Sequence, residues 1–138
     1  MTEVNSIVEF SNNIAEAEAP EPLPAGTYSA QITGAEVKIS QRGTKYAAVS
    51  FFINVDDFPA DFPVENAPDG VVIIFRRAGL EDNPQSRYGL KRFCTAIGAP
   101  MSTNIDVNDW VGLEATVEVE LDEWEGVERA NIVKVEEA

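Results

Sequence analysis

The sequence predicts a mainly β fold: five strands, with one helix between the third and the fourth. Three observations predict it. Apolar residues recur with a period of two in Thr27 to Val37, Tyr46 to Val55 and Leu113 to Leu121. One long segment, Ser86 to Ile97, has helical spacing instead. Turn signals separate these segments: SQRGT at 40–44, a loop with three prolines at 56–70, and Trp124-Glu125-Gly126.

The elements follow in order. Residues 1–25 are rich in Glu, Ala, Asn and Pro and read as an acidic, flexible N-terminal arm. The arm's apolar patch, Ile7, Val8 and Phe10, is a candidate for docking on the domain or on a partner. The folded domain is expected over 26–138. In the first strand Tyr28, Ala30 and Ile32 share a face, and Gly34 marks a bulge or bend. In the second, Val49, Phe51, Ile53 and Val55 face inward while Tyr46, Ala48, Ser50 and Phe52 face the other way. The third, Val71 to Arg77, opens with an unbroken apolar run, which predicts burial on both sides. Leu90, Phe93, Cys94 and Ile97 form the buried stripe of the helix, with Ser86 as N-cap and Gly98 as stop. Asp106 caps a short turn that carries Trp110 as a core anchor. Leu113, Ala115, Val117, Val119 and Leu121 face inward from the fourth strand, and Glu128 to Val135 returns as the fifth. Three strands, a helix and two strands is the order of the five-stranded OB-type Greek-key barrel, a fold that binds oligonucleotides and oligosaccharides.

Composition narrows the function. At 138 residues, 44% hydrophobic and 25% charged, the chain reads as one ordinary globular domain. No apolar run approaches a membrane span, and no signal peptide is expected. Cys94 is the sole cysteine, which fits a reducing cytoplasm. The absence of histidine removes the commonest general base and zinc ligand. The residues show no P-loop, CxxC, calcium loop or nucleophile elbow, so no enzyme, metal or cofactor is expected.

The net charge of −14 is distributed unevenly. Residues 1–25 carry five Glu and no base; residues 99–138 carry eleven acids and only Arg129 and Lys134. Residues 26–98 hold the other eight bases and eight acids, five of the acids lying in the 56–70 loop. Outside that loop the middle has a surplus of five positive charges, and a local basic stripe is what meets a phosphate chain.

Local sequences add a resemblance. PAGTYSAQITGAEVKISQRGTKYAAVSFFI has a G-x-Y strand start and a Ser-x-x-Gly turn leading into a long second strand. RYGLKRFCTAIG and NDWVGLEATVEVELDEWEGVERANIVKV supply a helix ending in Gly, a VG before strand four and a W-E-G hairpin. This pattern, over about Ala25 to Val135, resembles the bacteriophage single-stranded DNA-binding proteins. The resemblance implies an OB fold, coating of single strands, and a role in phage replication or recombination among proteins of those pathways. The C-terminus departs from the pattern: it is only VKVEEA, where many such proteins carry a long acidic tail.

Strand binding without base preference needs cations for phosphates and aromatic faces for bases. Lys38, Arg42 and Lys45 flank the first hairpin turn, and Tyr46 and Phe52 lie on the less apolar face of strand two. Phe75, Arg76 and Arg77 end strand three, beside strand two in an OB sheet; Trp124 tips the last hairpin. These nine are the candidate binding residues, with Arg76, Arg77 and Tyr46 expected on one face. Competing readings place Tyr46 and Phe52 in the core and pair the two arginines with acids of the 56–70 loop. Rival functions are an acidic protein–protein module and a DNA mimic, the latter drawing on the row Glu114, Glu118 and Glu120. Base stacking tolerates either sugar, so RNA is an alternative ligand.

Overall fold

The computed structural model describes residues 6–67 and 69–138. Five strands, β1 (Gly26–Ile39), β2 (Lys45–Asn54), β3 (Val71–Gly79), β4 (Glu114–Trp124) and β5 (Val127–Glu136), form one antiparallel sheet, and helix α1 (Pro84–Ile97) lies between β3 and β4. The order across the sheet is β3-β2-β1-β4-β5.

β1 is shared by both halves of the sheet. Its first half pairs with β4, Gly26 opposite Val119 to Gln31 opposite Glu114. Its second half pairs with β2, and the register shifts between Ile32 and Gly34. That bulge is where the expected bend falls. The segment after a short 3-10 turn (Val107–Trp110) secures it: Gly112 N–H donates to Ile32 O at 2.7 Å and Ile32 N–H to Leu113 O at 2.9 Å.

The core fills the concave side. Tyr28, Ala30 and Ile32 of β1 meet Val49, Phe51 and Ile53 of β2 and Ala115, Val117 and Val119 of β4. Phe93 locks α1 in place, its ring 6.4 Å from Phe51 in a T-shaped contact and 5.2 Å from Trp110, which is fully buried. The Asn83 side chain caps α1 by accepting from Ser86 N–H at 2.9 Å, with Pro84 in the first turn. The cap thus lies three residues ahead of the expected Ser86, because Pro84 has no amide proton to lose and suits the first turn. Gly98 ends the helix at φ 72°, where its lack of a Cβ matters.

Four expectations need correction. The sheet is not closed into a barrel: β3 and β5 approach each other, yet no backbone ladder joins them. The Arg76 guanidinium reaches across instead and donates to Ile132 O, so a side chain occupies the seam where a strand pair would lie. β3 is not buried on both sides. As an edge strand it buries Ile74 and Ala78 but exposes Ile73 and Phe75. Leu121 faces solvent because β4 and β5 run on past the core as a two-stranded ribbon. Val55 leaves β2 for a 3-10 turn (Val55–Asp57). The 56–70 loop is itself anchored, with Phe62 and Ala67 buried and Phe58 packed on Phe62. No helix among the described residues is long and apolar enough to cross a membrane.

Residues 6–20 are exposed throughout. Leu23, by contrast, is 2% exposed and belongs to the core. Pro24 O accepts from the Tyr28 hydroxyl at 2.7 Å, and Glu21 O from the Asn66 side chain at 3.3 Å. The structured chain thus takes in the last residues that composition assigns to the arm. Deleting residues 2–20 should leave the melting temperature nearly unchanged. Leu23→Ala should cost ~2–4 kcal/mol, as for a buried leucine, in a denaturant titration. Equal stability of Leu23→Ala and the parent would show that this anchor is dispensable.

Candidate nucleic-acid interface

Strand pairing determines which side chains share the convex face of β1, β2 and β3. Lys38 lies opposite Tyr46, which lies opposite Gly79. The next rows are Glu36, Ala48, Arg77, then Gly34, Ser50, Phe75, then Gln31, Phe52, Ile73. Small residues thus occupy the middle of the face, and larger ones stand around them. The result is a cleft of about 370 Å³ lined by Lys38, Tyr46, Ala48, Phe75, Arg76 and Arg77.

Two of its groups are already arranged as flat partners. The Arg77 guanidinium lies 4.4 Å from the Tyr46 ring centroid, a cation–π stack. Phe75 is 68% exposed, and Ile73 beside it is 50% exposed. Such a protruding aromatic contributes little to folding, so Phe75→Ala should shift stability by no more than ~0.5 kcal/mol, the range of ordinary surface changes. A thermal melt checks this, and a large loss would place the ring in the core.

Four of the five cations here lack carboxylate partners among the described residues. Among the described residues no Asp or Glu oxygen lies within 4.0 Å of Arg42, Lys45, Arg76 or Arg77. The loop acids therefore do not neutralise the two arginines. Lys38 meets Glu36 only at 3.9 Å, both well exposed, a contact worth little. Elsewhere bases are tied closely, Arg129 to Asp122 at 3.0 Å and Lys134 to Glu136 at 2.7 Å. Arg42 and Lys45 project from the hairpin turn, which the Ser40 and Thr44 hydroxyls close at 2.5 Å.

The nine candidates do not all meet. Lys38, Tyr46, Phe75 and Arg77 line one cleft. Arg76 reaches its wall but points its guanidinium to the seam, since neighbours on a strand alternate. Burial lowers its pKa from the usual arginine value. Phe52 is half-buried and lines another hollow, about 400 Å³, whose other walls include Asp57 and Glu114. Carboxylates there would repel a phosphate. Trp124 is exposed at the ribbon tip with Arg129 5.4 Å from its ring centre, and contributes nothing to the cleft. Ile73 belongs to the face and was not singled out from sequence. The alternation of β2 did place Ala48 and Ser50 there, though not as binding residues.

No curated protein matches the chain. A family model described as "Protein of unknown function (DUF669)" matches residues 9–134, which takes in β1 to β4, the helix and β5 as far as Lys134. The chain belongs to this DUF669 family.

Proposed function

We propose that the protein binds single-stranded DNA with little base preference, without catalysing a reaction, through the convex face of β2 and β3 and the β1–β2 hairpin. One observation carries this reading. In a chain of net charge −14, the partly exposed Tyr46 and the exposed Phe75 stand among cations that, Lys38 apart, have no carboxylate partner among the described residues. Those are the two components of sequence-tolerant strand binding: cations for phosphates and ring faces for bases. The strand order supports it too. β3-β2-β1-β4-β5 is the order of an OB-type fold whose two ends, β3 and β5, stop short of pairing. In that fold the strand 2–3 face and the 1–2 and 4–5 connections take the oligonucleotide. The resemblance to bacteriophage single-stranded DNA-binding proteins points to replication or recombination as the setting, in the host cytoplasm.

The acidic alternatives rest on the net charge of −14 for a protein–protein module and on the row Glu114, Glu118 and Glu120 of β4 for a DNA mimic. They leave the unpaired cations without a use. A labelled poly-dT titration separates the readings: binding that weakens as salt rises is the expected result. No shift at low salt would overturn the proposal and favour the acidic alternatives.

Two variants locate the face. Tyr46→Ala should cost ~1–3 kcal/mol of affinity, the contribution of one stacked base. Arg77→Ala should weaken binding to all sequences alike and lower the salt slope by about 0.7, the share of a single phosphate that is no longer neutralised. Both should keep the far-UV spectrum of the parent. Unchanged affinity in both would place binding elsewhere, with the Trp124 ribbon as the next position to test.

A further inference from the structure

The open seam between β3 and β5 has a second cleft, about 310 Å³, beneath α1. Three of its lining residues are cations, Arg76 from β3, Arg92 from α1 and Lys134 from β5, and none is acidic. Arg76 is common to this cleft and to the one on the convex face, so the two hollows adjoin across β3. A guanidinium has five N–H donors, and Ile132 O takes one from Arg76. Among the described residues no fully buried side-chain nitrogen lacks a partner, so its Nε and Nη2 are not fully buried. Arg92 is exposed and forms no ion pair within 4.0 Å among those residues. Lys134 is held by Glu136, whose hydrogen bond and charge raise its pKa; Glu118, opposite it on β4, adds to that rise, and Arg92 works against it. Arg76 and Arg92 line one cleft with no carboxylate partner among the described residues, and like charges so placed favour an anion between them.

Gly89 is the remaining clue. It sits inside α1, where glycine is a poor helix former, and no positive φ accounts for it. A Cβ built there would meet nothing within 4 Å, and the residue lines the cleft. Glycine thus keeps the helix wall open at this point.

We propose that the seam cleft binds a backbone phosphate of the same single strand that occupies the convex face. The strand crosses the β3 edge, with Phe75 and Arg77 on one side and Arg76 on the other. Arg92 and Lys134 complete the phosphate site. This inference rests on the single-strand reading above and extends its path onto α1.

The test uses the full chain and dT oligomers of increasing length. Arg92→Gln should bind the shortest bound oligomers like the parent, since Arg92 lies outside the convex cleft. It should lose about fivefold in affinity on longer ones, with a salt slope lower by about 0.7, one phosphate contact. Lys134→Gln should behave alike. Equal affinity of parent and both variants at every length would overturn the seam site while leaving the convex face in place. Binding of no oligomer by the parent would overturn both. A parallel thermal shift with pyrophosphate distinguishes a free anion. Stabilisation that depends on Arg92, with no length effect in DNA, would make this a small-anion site and overturn the strand path.

Discussion

The bend of β1 at Thr33 and Gly34 is the constraint on which the rest depends. One strand has to pair β4 with its first half and β2 with its second. A flat strand would carry both partners in one plane, leaving the apolar faces of β2 and β4 without a common core. The bulge turns the second half away, and Ile32, bonded to Gly112 and Leu113, holds the corner. Phe51 and Val117 then face one space, which α1 covers through Phe93. One ribbon projects from this frame. Where β4 and β5 run beyond the core, they have only each other, and Leu121 and Trp124 are exposed.

That arrangement shows what could be read from the sequence and what could not. Periodicity located β1, β2, α1 and β4, because alternation follows from one wet and one dry face and the helical period from one buried stripe. It also separated Tyr46 and Phe52 from the Val49, Phe51, Ile53 row. It failed at Val71 to Phe75, where a strand buried on both sides and an edge strand with an apolar outer face look alike. Leu23 was missed for another reason: a single anchoring residue has no period. The seam lay beyond reach, since whether two end strands pair depends on their approach in space. The separation of Arg76 from Arg77 was legible. A period of two places Arg76 with Ile74 and Ala78, and treating the pair as one patch overlooked it.

Net charge and local charge act over different distances here. At physiological salt, screening reduces interactions between exposed charges beyond about 8 Å. The arm and the β4–β5 ribbon hold much of the negative charge, and ribbon acids such as Asp122 are engaged with their own cations. A phosphate near Arg77, Arg42 or Lys45 would feel chiefly those groups. The remaining acids still matter for solubility and for long-range approach at low salt, which they oppose. On the single-strand reading, binding rests on the arrangement of few cations, so each one counts for more than in a basic protein.

Phe75 links the folding and the binding accounts. Full burial of such a side chain stabilises a protein by about 1.5–3 kcal/mol. Exposed on β3, this ring contributes little of that to the fold. Ile74, its neighbour, does face the core, so the strand meets its structural requirement through alternate residues and leaves the others unconstrained. A base stacked on the ring would contribute ~1–3 kcal/mol, comparable to what the fold forgoes. Ala48 and Ser50 keep the neighbouring floor low enough for a flat ligand to reach the ring. Arg77, resting on Tyr46, presents a second planar surface at the same edge. A purely apolar face of this size would invite self-association along the open β3 edge. Cations interleaved with the aromatics oppose that pairing through like-charge repulsion, and the same cations attract a polyanion. On the single-strand reading, the features that oppose pairing of this edge with a second copy are also those that suit it to a nucleic-acid strand.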